Sequence, residues 1–267
     1  MRMSIYFFLN YFRYPEFEKH TLFILQHMEN TSQEMKILSI DIGGTNVKAT
    51  VLDQNGALLQ EYKKVKTPDP ATPEKLLEAI NTLLKGFISY DKVSVGFPGY
   101  VKDGVIFTAP NLNTTLWKDV DLRKLISESL KKPVRLVNDS DMQGLGVVSG
   151  KGLEMVITLG TGFGSALLLN GHLLPHLEIA QHPFTKNKTY DTYIGDEALI
   201  DKGLVRWNKR IERVLKVLKR VFNYDRLYIG GGNADKLNFK LDDNIKIITN
   251  KEGIKGGSRL WQEDGIM

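Results

Sequence analysis

The chain contains one strand and glycine-turn pattern twice, and this repeat constrains its fold more than any other feature. Residues 37–56 read ILSIDIGGTNVKATVLDQNG, and residues 155–171 read MVITLGTGFGSALLLNG. Each segment is an apolar strand, a turn containing Gly and Thr, a second strand, and an Asn-Gly dipeptide of the kind that closes tight hairpins. A duplicated unit of this type predicts two similar lobes whose glycine turns face each other across a cleft.

The rest of the chain alternates strand and helix patterns, which predicts a mixed α/β fold. A helix is expected after a proline-rich connector, where Thr72 precedes Pro73 at the first helical position. We place the first lobe at residues 35–134 and the second at residues 135–267, with the last helix returning to the first lobe. Residues 1–34 are aromatic-rich and irregular, so we expect them to be an N-terminal extension outside the fold.

Composition and charge limit which cellular compartments and which binding partners suit this chain. The 267 residues include no Cys, which excludes disulfides and thiolate metal sites and fits a reducing, cytoplasmic compartment. The net charge of +5 comes from 36 basic and 31 acidic residues spread along the chain, so phosphorylated small molecules fit as well as nucleic acid does. The apolar runs near the N-terminus are too broken for a transmembrane helix or a secretory signal, so we expect no membrane partner.

The two glycine turns have the properties of phosphate-binding loops. Turns without side chains expose main-chain N–H groups, which is how proteins hold phosphate oxygens. Asp41 precedes the first turn, and a carboxylate beside phosphates indicates an intervening Mg²⁺ with its waters, so Asp41 is predicted as an outer-shell metal group. Lys48 is a candidate charge partner, and Thr45 and Thr161 add hydroxyl donors.

Other motif assignments fit these turns less well. No GxxxxGK[ST] string is present, so a Walker loop is excluded. Gly160-Thr161-Gly162 opens a hairpin pattern rather than a helix, which argues against a dinucleotide-binding fold. The string DIGGTN lacks the alternating Asp and Asn of an EF-hand. Two ordinary hairpin turns are the remaining alternative, and it is disfavoured because a third glycine run, YIGGGN, agrees with the first two.

The segment PVRLVNDSD ends in carboxylates that suit acid–base chemistry. An alcohol attacks phosphorus well only if its proton is accepted as the bond forms, and we choose Asp139 as that general base. The alternative is that Asn138 and Asp139 cap the next helix, a role that fits Asp141 better. Asn111 and Glu178 are candidates for pairing with sugar hydroxyls, although Asn111 equally suits a turn after a proline.

The motifs IDIGGTNVKA, GFPGYV, TAPNL, VNDSD, TLGTGFGSAL and YIGGGN occur in the order and spacing seen in sugar kinases of the ROK family. From Lys36 to Gly257 the chain therefore resembles this family, which lies within the actin and hexokinase superfamily. The strings KTPDPATPE, LPHLEIAQH and TNKEGIKGG resemble its polyphosphate glucokinase branch. The resemblance implies a two-lobed actin-like ATPase (ribonuclease H-like) fold, with duplicated mixed β-sheet lobes and an interlobe cleft.

The resemblance also implies roles for particular residues. The residues matching the donor phosphate site are Asp41, Gly43, Gly44, Thr45, Lys48, Gly160, Thr161 and Gly162. Those matching the adenosine loop are Gly230, Gly231 and Gly232, and those matching the sugar site are Asn111, Asn138, Asp139 and Glu178. One departure is Gln181, which stands where family members usually carry His and can still hydrogen-bond a hydroxyl.

The zinc-binding cysteine cluster of many ROK relatives is missing, so we expect no structural zinc. The nearby histidines, His172, His176 and His182, are interpreted as loop or sugar-shell residues.

A basic helix pattern, RWNKRIERVLKVLKRVF, has two interpretations. Its face of Lys209, Arg213, Lys216 and Arg220 is most simply a solvated surface. If that face binds a polyanion, inorganic polyphosphate fits it, because repeated cations match repeated charges.

Together with these features, the resemblance implies a kinase that moves a phosphoryl group from ATP or polyphosphate, with Mg²⁺, to the 6-hydroxyl of a hexose, with glucose favoured. Gln181 leaves mannose, fructose or an N-acetylated amino sugar open as acceptors. A non-catalytic sugar-sensing regulator is the competing class, but residues 1–34 are too short and irregular for the helix-turn-helix of such regulators, so no DNA partner is expected. A homodimer is implied by analogy alone.

Overall fold

Two five-stranded sheets form the framework of the chain, one for each copy of the repeated pattern. The computed structural model describes residues 35–263, and the extension predicted over residues 1–34 lies outside them. The strands of the first half are β1 (Ile37–Ile42), β2 (Asn46–Leu52), β3 (Lys63–Lys66), β4 (Lys92–Phe97), β5 (Val101–Lys102), β6 (Val105–Ile106) and β7 (Val134–Asn138). Those of the second half are β8 (Leu153–Leu159), β9 (Phe163–Leu169), β10 (His172–Leu173), β11 (Pro183–Thr185), β12 (Lys188–Thr189), β13 (Arg226–Gly230) and β14 (Ile245–Ile247).

Helices connect and cover the strands. They are α1 (Pro73–Leu83), α2 (Thr114–Trp117), α3 (Leu122–Leu130), α4 (Asp139–Val147), α5 (Tyr190–Ile194), α6 (Asp196–Phe222), α7 (Asn250–Gly253) and α8 (Gly256–Arg259). The longest, α6, is kinked at Gly203, whose φ of 73° is not helical. Within residues 35–263, no helix is both long enough and apolar enough to span a lipid bilayer.

The two sheets share one topology. Their strand orders are β3-β2-β1-β4-β7 and β10-β9-β8-β13-β14. In each sheet, three consecutive strands pair in antiparallel fashion, and two further strands then add in parallel beside the first of them. The duplicated mixed sheets confirm the predicted α/β fold class and place the glycine turn of each copy at the end of its first strand.

Strand β7 belongs to the first sheet, whereas we had placed it in the second lobe. It pairs in parallel with β4, so that Phe97 lies opposite Asn138. Val134 and Leu136 of this strand are buried in the first hydrophobic core. The apolar run that we used to start the second lobe is therefore the edge strand of the first sheet, and the following helix, α4, packs against β4, β8 and β9.

Local sequence signals explain how the covering helices begin and pack. Thr72 is the N-cap of α1 and Pro73 occupies its first turn, as predicted. In the second half, the apolar face of α6 buries Trp207 completely, and the indole Nε1 donates to Ile194 O at 2.7 Å. A fully buried indole needs such a partner, because an unpaired buried N–H is costly.

The C-terminal segment ties the second half of the chain to the first sheet. Ser39 Oγ on β1 donates to Ile254 O at 2.8 Å, and Ser94 Oγ on β4 donates to Gly257 O at 2.6 Å. The indole Nε1 of Trp261 donates to Ser94 Oγ at 2.9 Å. These buried hydrogen bonds fix α8 against the first sheet, on the side where α4 also packs.

Gly256 is the position where α8 comes closest to α4. A Cβ there would lie 1.7 Å from Met142 O, so Gly256→Ala forces the two backbones apart. We expect the free energy of unfolding, measured by urea denaturation, to fall by about 1–3 kcal/mol, the usual cost of overpacking. Gly232→Ala is the control, because a Cβ at Gly232 would meet nothing within 4 Å. A Gly256→Ala variant as stable as the wild type would contradict this close contact.

Candidate active site

A cavity of about 900 Å³ lies where the glycine turns of the two sheets meet. The first turn joins β1 to β2, and the second joins β8 to β9. The predicted site residues that line it are Asp41, Gly43, Gly44, Thr45, Lys48, Asn111, Asn138, Asp139, Gly160, Thr161, Gly162, Glu178, Gln181, Gly231 and Gly232. Gly230 is not among the lining residues; it ends β13, and a Cβ there would meet Ile248.

The first glycine turn is held by main-chain and hydroxyl hydrogen bonds. Gly43 N donates to Asn46 O at 3.0 Å, which closes the turn. Thr67 Oγ1 donates to Gly43 O at 2.7 Å from a neighbouring segment. A Cβ on Gly44 would lie 3.4 Å from the Cβ of Asn111. The turn therefore brings bare main chain next to a residue that we predicted on the sugar side.

Asp41 and Lys48 form an ion pair beside this turn. They are cross-strand neighbours on β1 and β2, and Lys48 Nζ lies 2.9 Å from Asp41 Oδ2. Burial alone would lower the pKa of Lys48, but the Asp41 carboxylate, with Tyr62 and Asp139, raises it above its usual value. Lys48 is therefore a fixed positive charge on the cavity wall.

Asp191 at the start of α5 supports the second glycine turn. Its Oδ1 accepts a hydrogen bond from Phe163 N at 2.7 Å, and a Cβ on Gly162 would lie 2.2 Å from the same oxygen. Thr161 O accepts a hydrogen bond from Asp196 N at 3.2 Å, at the start of α6. Glycine is required at position 162 because any side chain would displace the supporting carboxylate.

The third glycine run packs against the end of β8. Gly231 has a φ of 89°, in the left-handed region that favours glycine, and a Cβ there would lie 2.2 Å from Leu159 O. Asn233 N donates to the same carbonyl at 2.9 Å. Gly231 and Gly232 thereby reach the cavity beside the second turn.

The junction of β7 and α4 carries the candidate base. Asn138 is the N-cap of α4: its Oδ1 accepts from Ser140 N at 2.8 Å, and its Nδ2 donates to Gly99 O at 3.0 Å. Asp139 Oδ1 accepts from the same Ser140 N at 2.8 Å. Our prediction that Asp141 caps this helix is wrong, because Asp141 lies inside the first turn and its carboxylate contacts a histidine imidazole instead.

Asp139 has the electrostatic setting of a general base. Burial, followed by the charge of Asp41, raises the pKa of Asp139 to about 7, against smaller lowering effects of the Ser140 N–H and of His176. A carboxyl group that titrates near neutral pH accepts a proton more readily than an ordinary Asp does, and it also releases that proton between turnovers. This setting was not visible in the sequence, where Asp139 was chosen from its place at a strand end.

The predicted sugar-side residues come from two short turns. Leu112 N donates to Ala109 O at 3.0 Å, so Asn111 does occupy a turn, and it lines the cavity as well. The turn interpretation of Asn111 is therefore confirmed, and its pairing with a sugar hydroxyl stays a prediction. Glu178 precedes the 3₁₀ turn that follows β10, and Gln181 is the last residue of that turn; both line the cavity.

His176 lines the cavity, and we had interpreted it only as a loop or sugar-shell residue. Its Nδ1 lies 2.9 Å from Asp141 Oδ2, and its Nε2 lies 3.5 Å from Glu178 Oε1. Of the three histidines that we grouped together, His172 and His182 do not line the cavity; they are exposed to solvent. The only feature of the sequence that could have indicated a role for His176 is its position two residues before Glu178.

The lysines that line the cavity lie outside the basic helix. They are Lys48, Lys64 on β3, which is the cross-strand neighbour of Lys48, and Lys251 on α7. The four basic residues predicted on one helix face, Lys209, Arg213, Lys216 and Arg220, are exposed on α6. None of those four lines the cavity in the described part of the chain, and Lys216 is paired with Glu212 at 3.0 Å.

Comparison with known proteins places this architecture in a family. Residues 37–176 match the profile of the ROK family. The chain belongs to the ROK family. Among its ROK relatives, it is 32% identical to the polyphosphate glucokinase of Mycobacterium leprae (strain TN), over 83% of this chain and 69% of that protein. It is 30% identical to the polyphosphate glucokinase of Mycobacterium tuberculosis (strain CDC 1551 / Oshkosh), over 82% of this chain and 88% of that protein.

Solved structures of sugar kinases share the fold. The inorganic polyphosphate/ATP-glucomannokinase of Arthrobacter sp. strain KM has a TM-score of 0.77 and 30% identity, with 85% of this chain and 99% of that chain covered. A ROK family glucokinase of Streptomyces griseus, solved with glucose and AMPPNP, has a TM-score of 0.68 and 20% identity, with 84% and 98% covered. These similarities confirm the predicted actin-like ATPase fold.

The electrostatic coupling between Asp41 and Asp139 is open to direct measurement. Asp41→Asn removes a negative charge that raises the pKa of Asp139, so we expect that pKa to fall below 7 while burial keeps it above an ordinary Asp value. Carboxyl ¹³C chemical shifts followed over a pH titration report it. Asp196→Asn, at another cavity residue that does not act on Asp139, is the control. An unchanged pKa in Asp41→Asn would contradict the coupling.

Proposed function

We propose that this ROK protein is a hexose kinase, which transfers a phosphoryl group from ATP or inorganic polyphosphate to the 6-hydroxyl of a hexose, with glucose as the favoured acceptor. The observation that carries the proposal is the meeting of both glycine turns, one from each sheet, at a single cavity that also contains Asp139. A polyanion held by two sets of main-chain N–H groups beside a carboxylate base is the arrangement that phosphoryl transfer requires.

The names of the relatives agree with this proposal. The two mycobacterial proteins are polyphosphate glucokinases, and the Arthrobacter structure is an inorganic polyphosphate/ATP-glucomannokinase. The last name supports mannose as a further acceptor for this chain and supports the use of both donors. An N-acetylmannosamine kinase of Shigella flexneri, 28% identical over 52% of this chain, matches less of it.

In the proposed reaction the sugar hydroxyl attacks the terminal phosphorus of the donor. As the new oxygen–phosphorus bond forms, the bond from that phosphorus to the bridging oxygen breaks, and ADP or a polyphosphate shortened by one unit leaves. Asp139 accepts the hydroxyl proton. Because the carboxyl must be ionised to do so, kcat/KM falls as the pH drops below the Asp139 pKa of about 7, and such a base contributes roughly 10²- to 10⁴-fold in rate.

Positioning of the donor falls to the glycine turns. Main-chain N–H groups around Gly43, Gly44 and Gly162 are free of side chains that would block a phosphate, and Lys48 supplies a positive charge beside them. In phosphoryl transfer, in-line positioning and cancellation of charge account for most of the catalysis. Gly231 and Gly232 are proposed to border the adenosine of ATP.

The cavity also suits a magnesium ion carried with the donor phosphates. Asp41 and Asp139 both line the cavity, and the charge of Asp41 raises the pKa of Asp139, so two carboxylates lie close enough to interact there. Hard oxygen ligands of this kind fit Mg²⁺. Asp41 would hold the ion through its waters, and the ion would supply charge neutralisation on the phosphates. Residues 35–263 contain no group of three or more His, Cys, Asp or Glu side chains that could bind a metal ion directly.

A sugar-sensing regulator is less well supported than a kinase. A ROK family transcriptional regulator homologous to the E. coli MLC protein shares the fold, with a TM-score of 0.63, but at 14% identity that similarity concerns the fold alone. The raised pKa of Asp139 favours catalysis, because sugar binding alone does not require a carboxylate that titrates near neutral pH.

A hexose panel assayed with both donors tests the proposed function. We expect glucose 6-phosphate to form from glucose with ATP, with polyphosphate, or with both, and other hexoses to react more slowly. Asp139→Asn is the matched control: its amide cannot accept the proton, so turnover should fall by at least about 10²-fold while calorimetry still detects glucose binding. Turnover that persists in Asp139→Asn removes Asp139 as the base, and no phosphorylation of any hexose by the wild type removes the proposal.

The route of polyphosphate can be tested by comparing two sets of cations. We expect Lys64→Gln and Lys251→Gln each to raise the apparent KM for polyphosphate by about fivefold, equivalent to ~1 kcal/mol for an accessible charge contact, because both lysines line the cavity. The quadruple Gln variant of Lys209, Arg213, Lys216 and Arg220 serves as the comparison and should change it by less than about twofold. A larger effect of the quadruple variant, with KM for ATP spared, would show that polyphosphate follows α6 instead.

A further inference from the structure

His176 lies among carboxylates in the wall of the cavity. Its side chain is only 9% exposed, with Nδ1 at 2.9 Å from Asp141 Oδ2 and Nε2 at 3.5 Å from Glu178 Oε1. Burial alone would lower the pKa of His176, but the nearby Asp141 and Glu178 carboxylates raise it to about 10. The imidazole is therefore a cation at neutral pH and cannot itself act as the base.

The imidazole also connects three separate parts of the chain. Asp141 belongs to α4, the helix whose first residue is Asp139. Glu178 precedes the 3₁₀ turn on the predicted sugar side. On its face, the imidazole stacks against the ring of Tyr100, from the first half of the chain, with centroids 6.2 Å apart and planes inclined by 18°. A displacement of His176 would therefore change its contacts both with α4, which carries Asp139, and with Glu178 on the predicted sugar side.

The Glu178 carboxylate keeps unused hydrogen-bonding capacity in this arrangement. At 3.5 Å, Nε2 is at an ion-pair distance from Oε1 rather than in a hydrogen bond, and Oε1 is buried without a hydrogen-bond partner among residues 35–263. A buried acceptor without a partner is costly unless something else bonds it. The carboxylate as a whole is open to the cavity, because 26% of the Glu178 side chain is exposed and Glu178 lines the cavity. A hydroxyl of the acceptor hexose can therefore bond this carboxylate beside the His176 cation.

We propose that His176 is a positioning residue, which holds the Glu178 carboxylate towards the hexose and couples it to the helix that carries Asp139. The proposal rests on the proposed function, because it assigns Glu178 to the acceptor sugar. His176 acts through Glu178 and through its charge, and it does not contact the reacting atoms.

The charge of His176 also bears on the base. Asp139 is acted on by Asp41 and Asp141, which raise its pKa, and by His176, which lowers it; Asp139 in turn raises the pKa of Lys48. Around the imidazole, Asp141 is the nearer carboxylate and Glu178 the farther. Glu178 also raises the pKa of Asp191 across the cavity. Removing the imidazolium therefore leaves Asp139 facing uncompensated carboxylates.

His176→Asn tests both effects. The variant is neutral and can bond one carboxylate at most, so we expect KM for glucose to rise about tenfold, the effect of losing a contact to a charged group, while KM for ATP changes by less than about twofold. The acidic limb of kcat/KM should move above the wild-type midpoint near pH 7. His176→Gln, with a longer amide, should recover part of the glucose KM.

Two further variants separate positioning from simple structural support. His172→Asn removes a histidine that pairs with Glu263 at 3.4 Å outside the cavity, and it should leave the glucose KM and the pH profile unchanged. The double variant His176→Asn/Asp141→Asn removes one positive and one negative charge. We expect its acidic limb to return towards the wild-type pH while its glucose KM stays high, because Glu178 still lacks its partner.

Failure of this proposal is distinguishable from failure of the proposed function. Ring ¹⁵N NMR of the wild-type protein needs neither a variant nor activity: we expect His176 to stay protonated at pH 8, and a neutral ring at that pH would overturn the proposal. Calorimetry with glucose should show the same tenfold weakening in His176→Asn. A His176→Asn enzyme with lowered thermal stability, but with unchanged glucose affinity and an unchanged acidic limb, would also overturn it.

Discussion

Main-chain N–H groups from two separate sheets have to meet at one polyanion before any side chain of the cavity can take part in phosphoryl transfer. The turns after β1 and β8 do meet, because the duplicated sheets place each turn at the end of its first strand. Glycine at position 162 leaves room for the Asp191 carboxylate that supports the second turn. The C-terminal segment then fixes the two halves through buried hydrogen bonds from Ser39 and Ser94. The chemistry of the cavity thus depends on backbone placement first and on side chains second.

Around those turns, charged side chains are arranged in two groups, each of which contains one cation. Lys48 compensates Asp41 beside the first turn, and His176 lies between Asp141 and Glu178 on the sugar side. Asp139 lies within reach of both groups, and its pKa of about 7 reflects burial and Asp41 against the opposing effect of His176. A donor with bound Mg²⁺ would add positive and negative charge on the side of Lys48, so the same balance also sets the protonation of the base during turnover.

Local patterns in the sequence predicted the repeated units, the N-cap of α1 and the carboxylate at the end of β7, since each depends on residues close together in the chain. The sheet that β7 joins was not predictable, because a buried parallel strand reads as one apolar run whichever sheet it enters. The contact of His176 with Asp141 spans 35 residues, and no spacing rule indicates it. We predicted Gly230 in the adenosine loop together with Gly231 and Gly232. Gly230 is the last residue of β13 and does not line the cavity, whereas the two glycines after the strand do.

The central claim is that both glycine turns hold one donor beside Asp139. A crystal structure of the protein with glucose and a non-hydrolysable ATP analogue tests it most directly. The account predicts that phosphate oxygens accept hydrogen bonds from main-chain N–H groups of both turns, and that the sugar 6-hydroxyl lies within hydrogen-bond distance of the Asp139 carboxylate. Phosphates bound to only one of the two turns, or a 6-hydroxyl directed away from Asp139, would contradict it.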